Sequence, residues 1–273
     1  MIKLSIMARE LPDRPIGLQI EFARELGLDM IDFHMGGFPT EPSEMFAIKR
    51  KCLDLGMPIG YLGGGGGYIG TDEERAGQVA RDKANVDAAV LLGAPLIRLM
   101  SGRPKLDDPD PEKTWANGVA SFQQIADYAA DKGIFLGLQN HPPPAAPRGE
   151  DILRMLREVD RPNVTHLMDT GQWWASIGAD PRGQSDPDVD MYEFMEQTAP
   201  YATSVRAKIY KIDTGKEIWV DYERIMRILK AVNYNGQVCV VFEGQGNKSS
   251  YEDCMQMAVA HLRDVINRVY GES

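Results

Sequence analysis

Short apolar runs recur along the chain at intervals of roughly 30 to 40 residues, and each follows a stretch of helical spacing that ends at a glycine. Ile16, Ile20, Ala23 and Leu26 share one helical face before Gly27, and Met30 to His34 then reads as a strand. The same order returns three times. Leu53-Asp54-Leu55-Gly56 leads into Pro58 to Leu62, Leu91-Leu92-Gly93 into Pro95 to Met100, and Ala130-Asp131-Lys132-Gly133 into Ile134 to Leu138. A glycine just past the last helical residue suits the left-handed conformation that closes a helix.

The remaining elements follow the same alternation. Met1 to Met7 is a plausible first strand, and Arg9 to Arg14 a polar loop. Thr71 with Asp72, Glu73 and Glu74 places a cap and acidic groups at the positive end of a helix continuing through Val90. Trp115 to Ala130 and Asp151 to Val159 are further helices, and Val164 to Asp169 is strand six. A polar loop from Gly178 to Asp190 precedes a helix at Met191 to Thr198. Ser204 to Tyr210 and Gln237 to Glu243 are strands seven and eight, with helices at Tyr222 to Val232 and Ser250 to Val269. Eight strands with helices between them predict a closed (β/α)8 TIM barrel, one domain over residues 1–273.

Composition agrees with that architecture. The chain has 273 residues, 43% hydrophobic and 26% charged, enough for a sizeable core. A net charge of −10 and a pI near 5.0 weigh against nucleic acid or an anionic membrane as partner. The amino terminus lacks the apolar run of a signal peptide, and no stretch is long enough to span a bilayer. Cys52, Cys239 and Cys254 are scattered without a CxxC pair and suit a reducing compartment. A cytoplasmic enzyme is the expectation.

Candidate chemistry gathers where the strands end, the edge at which a parallel barrel keeps its active site. Leu136-Gly137-Leu138 runs into Gln139, Asn140 and His141, stopped by Pro142 to Pro144. Asp169 ends strand six and Glu243 ends strand eight; a carboxylate directly after a buried strand needs a partner or a task. Arg206 and Lys208 alternate on strand seven and point the same way, with Asp169 and Glu243 as natural partners. Trp173 and Trp174 suit stacking on a sugar ring, or packing beneath their loop. Gly63 to Gly67 reads as a flexible active-site loop; it lacks the Lys-Ser/Thr ending of a phosphate loop. His34, Arg98 and Ser101 lie at other strand ends and line the expected pocket, whereas His166 and His261 read as structural.

Taken together, these strand ends resemble the xylose-isomerase-like sugar isomerase/epimerase superfamily over nearly the whole length. Leu138-Gln139-Asn140-His141 stands where that family tends to have Glu-Asn-His, and Asp169-Thr170-Gly171-Gln172 where it has Asp-Thr-Gly-His. Val205-Arg206-Ala207-Lys208 occupies the place of His-Val-Lys, and Phe242-Glu243 matches the terminal glutamate. The resemblance implies one divalent metal, such as Mn, Mg or Zn, held by Glu, Asp, His and Glu. It also implies a carbohydrate substrate carried through an enediol-like intermediate, and leaves homo-oligomer formation open.

This sequence departs at Gln139, Gln172 and Arg206. Arginine cannot deprotonate to bind a metal. The family set sums to about −1 with its metal, as do Asp169, Glu243 and Arg206 by formal charge. No tightly bound metal is therefore the favoured expectation, with the Arg206 guanidinium bridging Asp169 and Glu243 in its stead and Gln139 beside them. On this reading Glu243 is the base, Lys208 or Arg206 stabilises the enediolate, and His141 supplies the second proton-transfer group. Gln139, Asn140, Gln172, Trp173, His34 and Arg98 are the expected substrate contacts. The alternatives are a catalytically silent barrel that binds a sugar or serves as a partner subunit, and a lyase on the same scaffold.

Overall fold

A computed structural model describes residues 2–68, 70–101, 103–142, 146–178 and 186–271. The chain begins β1 (Lys3–Ala8), α1 (Ile16–Glu25), β2 (Met30–His34), α2 (Pro42–Asp54), β3 (Ile59–Gly66) and α3 (Asp72–Leu92). It continues β4 (Leu96–Met100), α4 (Pro111–Ala130), β5 (Phe135–Gln139), α5 (Gly149–Val159), β6 (Val164–Asp169) and α6 (Met191–Thr198). After a 3-10 turn at Ala199–Tyr201 come β7 (Ala202–Ile209), α7 (Tyr222–Ala231), β8 (Gln237–Phe242) and α8 (Tyr251–Gly271). Every strand is parallel to its neighbours, and β8 pairs with β1 to close the barrel.

Helix boundaries follow local chemistry. The Thr71 hydroxyl accepts from the Glu74 N–H while the Glu74 carboxylate accepts from the Thr71 N–H, fixing the start of α3. Gly93 ends that helix at φ +83°. The helix α2 opens on Pro42, where a missing N–H costs nothing. Among the described residues no helix is long and apolar enough to cross a membrane. All three cysteines are buried and free. Of the polar loop expected from Gly178 to Asp190, residues 179–185 lie outside the described set.

Two apolar layers result from strand alternation. Outward-facing residues such as Ile31, Phe33, Met168 and Val205 pack against the helices. Inward-facing Met7, Tyr61, Leu96, Leu167, Cys239 and Val241 fill the middle of the barrel. Beneath them Asp32 accepts from the Ser5 hydroxyl at 2.5 Å, the Gln237 amide at 2.6 Å and the Tyr61 N–H at 2.8 Å. Burial nevertheless pushes its carboxyl up to about 6.

The glycine run is not the flexible loop its composition suggests. Strand β3 continues through Gly63 to Gly66, and the Gly67 N–H donates to the Met100 carbonyl at 2.9 Å. Gly65 and Gly66 have φ of +78° and +83°. A Cβ on Gly66 would lie 2.2 Å from the Met100 nitrogen, and one on Gly65 1.6 Å from Asp82 Oδ1. Glycine is required here because the strand turns over its neighbour with no room for a side chain.

His166 faces outward from β6, donates from Nδ1 to the Leu138 carbonyl at 2.8 Å and packs its ring edge-on against Trp173. Burial pushes its pKa from 6.5 down to about 4. The unfolded chain thus takes up a proton that the folded one refuses, and stability is lost as pH falls from 6.5 toward 4. The advantage of the wild type over His166→Gln in urea unfolding should shrink by up to ~3 kcal/mol across that window; a gap that stays constant would contradict a neutral buried imidazole. Separately, Gly66→Ala should lower unfolding stability by about 2 kcal/mol or more. An unchanged urea midpoint would show that β3 does not pack as described.

Candidate active site

The inward positions at the carboxyl ends of β4 to β8 bring Arg98, Gln139, Asp169, Arg206, Lys208 and Glu243 to one mouth. All but Glu243 are buried, and the Glu243 side chain is 14% exposed. Asp169 is the hub. Its Oδ2 accepts from Gln139 Nε2 at 2.6 Å and from Arg206 Nε at 3.2 Å, with Lys208 Nζ at 3.8 Å. Its Oδ1 accepts from the Gly171 N–H at 3.0 Å.

Lys208, rather than Arg206, joins the two carboxylates. Its ammonium donates to Glu243 Oε1 and sits beside Asp169, while Arg206 donates from Nε to Asp169 and from Nη1 to the Tyr61 hydroxyl, each at 3.2 Å. Register explains the difference from the expectation. Arg206 lies level with Cys239 and Lys208 level with Val241, so Arg206 occupies the lower layer and Lys208 the one next to Glu243. The Lys208 backbone is braced as well. Its N–H donates to Thr170 Oγ1 at 3.0 Å, its carbonyl accepts from the Tyr222 hydroxyl at 2.6 Å, and Thr170 and Tyr222 bond each other at 3.1 Å.

Charge in this cluster is mutually enforced. Burial works against ionising Asp169, yet Lys208, Arg206 and His141 hold its carboxyl below the ordinary carboxylate value. Burial also works against Arg206, and Tyr61 and Asp169 outweigh it to raise the guanidinium above its usual pKa. Arg98 is brought down to about 10 by burial and by Arg206. Its Nη1 donates to Gln139 Oε1 at 2.7 Å, so the Gln139 amide is clamped at both ends.

Two histidines border the cluster. Burial, then Arg98, Arg9 and Arg206, push His34 down to about 4, and its Nδ1 accepts from the Gly36 N–H at 2.9 Å. Burial pushes His141 to about 4 as well, with Lys208 and Arg98 adding to it against Asp169. The Pro142 carbonyl accepts from His141 Nδ1, which places the proton there and leaves Nε2 as the basic nitrogen.

Three expected substrate contacts serve other ends. Trp173 is fully buried between His166 and Phe194, with ring centroids 5.9 Å from each, so it packs behind the barrel wall. Its neighbour Trp174 instead has the guanidinium groups of Arg103 and Arg148 at 5.5 and 5.3 Å. The Asn140 amide donates to the Asp169 carbonyl at 2.8 Å and accepts its N–H at 2.7 Å, stitching β5 to β6. Gln172 is buried with Nε2 3.5 Å from the Gly178 carbonyl, directed into its own loop. Tyr61, Thr170 and Tyr222 were not evident in the sequence. Their signal is tertiary, apart from the inward phase of Tyr61 on β3.

The residues present do not fit a divalent ion. The Gln139 amide presents its N–H to Asp169, and two cationic side chains lie within 3.8 Å of the same oxygen. A guanidinium has no lone pair to offer. Among the described residues no group of three or more His, Cys, Asp or Glu is placed to hold a metal.

Comparison with known proteins places this geometry in context. A family model described as a xylose isomerase-like TIM barrel matches residues 20–265. A search of curated proteins finds no match. Among solved structures, a xylose isomerase domain protein from Planctomyces limnophilus superposes with a TM-score of 0.75 at 17% identity over 99% of both chains. D-psicose 3-epimerase with D-tagatose from Clostridium cellulolyticum H10 gives 0.74 at 13%, again over 99% of both. The apo 3-keto-D-glucoside 4-epimerase of E. coli gives 0.74 at 16%, over 97% of this chain and 100% of that one. At these identities the structures establish the fold alone. The family match covers most of the sequence, and the chain belongs to the xylose isomerase-like TIM barrel family.

Proposed function

We infer that the protein is an isomerase or epimerase of a sugar or related polyhydroxy carbonyl compound, working by proton transfer through an enediolate. The observation that carries this reading is the Lys208 ammonium bound to Glu243 at the barrel mouth. It places a carboxylate base beside a cation that receives negative charge. The sugar epimerases among the structural neighbours are compatible with this class of reaction.

Glu243 takes the proton from the carbon next to the carbonyl. The C–H electrons form a carbon–carbon double bond, and the carbonyl oxygen becomes an enediolate oxygen that accepts a hydrogen bond from Lys208. In an isomerisation His141 Nε2 accepts the proton of the neighbouring hydroxyl and passes it to that oxygen. Glu243 then returns its proton to the adjacent carbon. Asp169, 3.8 Å from the ammonium, and the backbone brace from Thr170 and Tyr222 hold Lys208 in place. Lys208, seconded by Arg206, stands in for the metal of the wider family, so no tightly bound ion is required.

A second reading, a catalytically silent barrel, is favoured by one feature. The Gln139 amide, clamped between Arg98 and Asp169, cannot exchange a proton where the resemblance implies a second acid.

Solvent deuterium exchange into a panel of ketoses tests the first reading. Incorporation by the wild type should fall about 10²- to 10⁴-fold in Glu243→Gln. Tight ketose binding without exchange in the wild type would establish the silent barrel. Elemental analysis of protein purified without chelator should find divalent metal well below stoichiometric, and the exchange should survive EDTA. One firmly held ion per chain would overturn the role given to Lys208.

A further inference from the structure

We propose that the substrate carries a carboxylate, and that the guanidinium of Arg98, on the β4 side of the mouth, receives it. The inference rests on the proposed carbonyl chemistry of this site and deepens it by naming a substrate class. Arg98 is 4% exposed, and its Nη1 is spent on a neutral amide, Gln139 Oε1 at 2.7 Å. Its Nε is buried with no hydrogen-bond partner, and among the described residues no carboxylate forms an ion pair with it. Asp169 and, more weakly, Asp82 act on Arg98 at a distance, but the oxygens of Asp169 are taken by Gln139, Arg206 and the Gly171 N–H, and those of Asp82 by the Gly66 N–H, Tyr68 and Gln78. A buried guanidinium with an unbonded N–H and no carboxylate in contact is unfavourable, and an arriving anion that accepts from it relieves this.

The formal charges of the described residues at the mouth favour a singly charged anion. Among the described residues that line it, Arg98, Arg206 and Lys208 bring three formal positive charges against two on Asp169 and Glu243, Asp82 is engaged by its own hydrogen bonds, and the two histidines at the rim are held neutral. One carboxylate matches that excess of one; a phosphate monoester would bring about −1.5 to −2 and exceed it. This cationic mouth sits in a chain of net charge −10, so it is a local feature rather than a general basicity. Gly63 contributes by absence. A Cβ there would lie 3.1 Å from Arg98 Nη2 and 3.2 Å from Nε, so glycine leaves room for the planar fork.

Isothermal titration calorimetry with a matched set tests the assignment: D-glucose, D-glucuronate, D-galacturonate, D-gluconate and D-glucose 6-phosphate against the full chain. At least one sugar acid should bind about 10- to 100-fold more tightly than glucose and than the phosphate ester. Arg98→Gln should erase that preference and Arg98→Lys retain part of it. Independently of any variant, glycolate should compete with the sugar acid on the wild-type protein, while glycerol should not. Equal binding of glucose and all three acids, preference for the phosphate ester, or a folded Arg98→Gln that keeps the selectivity would each overturn the proposal. Its failure is separable from that of the isomerase reading. Arg98-dependent acid binding with no deuterium exchange into any carbonyl compound sinks the latter alone. Exchange into neutral ketoses with no acid preference sinks only the carboxylate.

Discussion

The Asp169 carboxylate is the constraint around which the mouth of this barrel is arranged. A buried carboxylate is tolerable only when hydrogen-bonded and countered by charge, and here one oxygen meets an amide, a guanidinium and a nearby ammonium. Each of those donors is held by something further: Gln139 by Arg98, Arg206 by Tyr61, Lys208 by Glu243. Remove the central charge and two buried donors lose their common acceptor while the ammonium loses a counter-charge 3.8 Å away. The cluster therefore behaves as one unit, and its members are not separable contributions.

Much of the architecture was legible in the sequence because two independent signals agreed. Apolar runs gave the strands, and glycines such as Gly27 and Gly93, both at positive φ, gave the ends of the helices before them. The site residues were legible for a related reason, since a charged group directly after a buried run has few places to go. What escaped was depth. Alternation says that Arg206 and Lys208 share a face but not which barrel layer each reaches. That is decided by the stagger between β7 and β8, a property of the closed sheet. Hence Lys208, and not the Arg206 that the charge count favours, stands between the two carboxylates.

The other departures have the same origin. Trp173 follows a strand end yet packs outward against His166 and Phe194, because the chain turns before reaching it. Asn140 looks like a ligand contact in one dimension and is a cross-strand tie in three. Composition misled at Gly63 to Gly67, where glycine marks crowding rather than freedom: Asp82 and the Met100 backbone occupy the space where side chains would be.

The brace behind Lys208 has a consequence for the outer layer. Tyr222 opens α7, on the far side of the wall from the cavity, yet its hydroxyl grips the carbonyl of the residue that carries the ammonium. A helix that looks like mere cladding thus sets the height at which that charge stands above the barrel floor. Drift in how the cladding seats would be felt inside as a tilt of the ammonium, and selection acting on the interior reaches through the sheet to constrain residues that never meet a ligand.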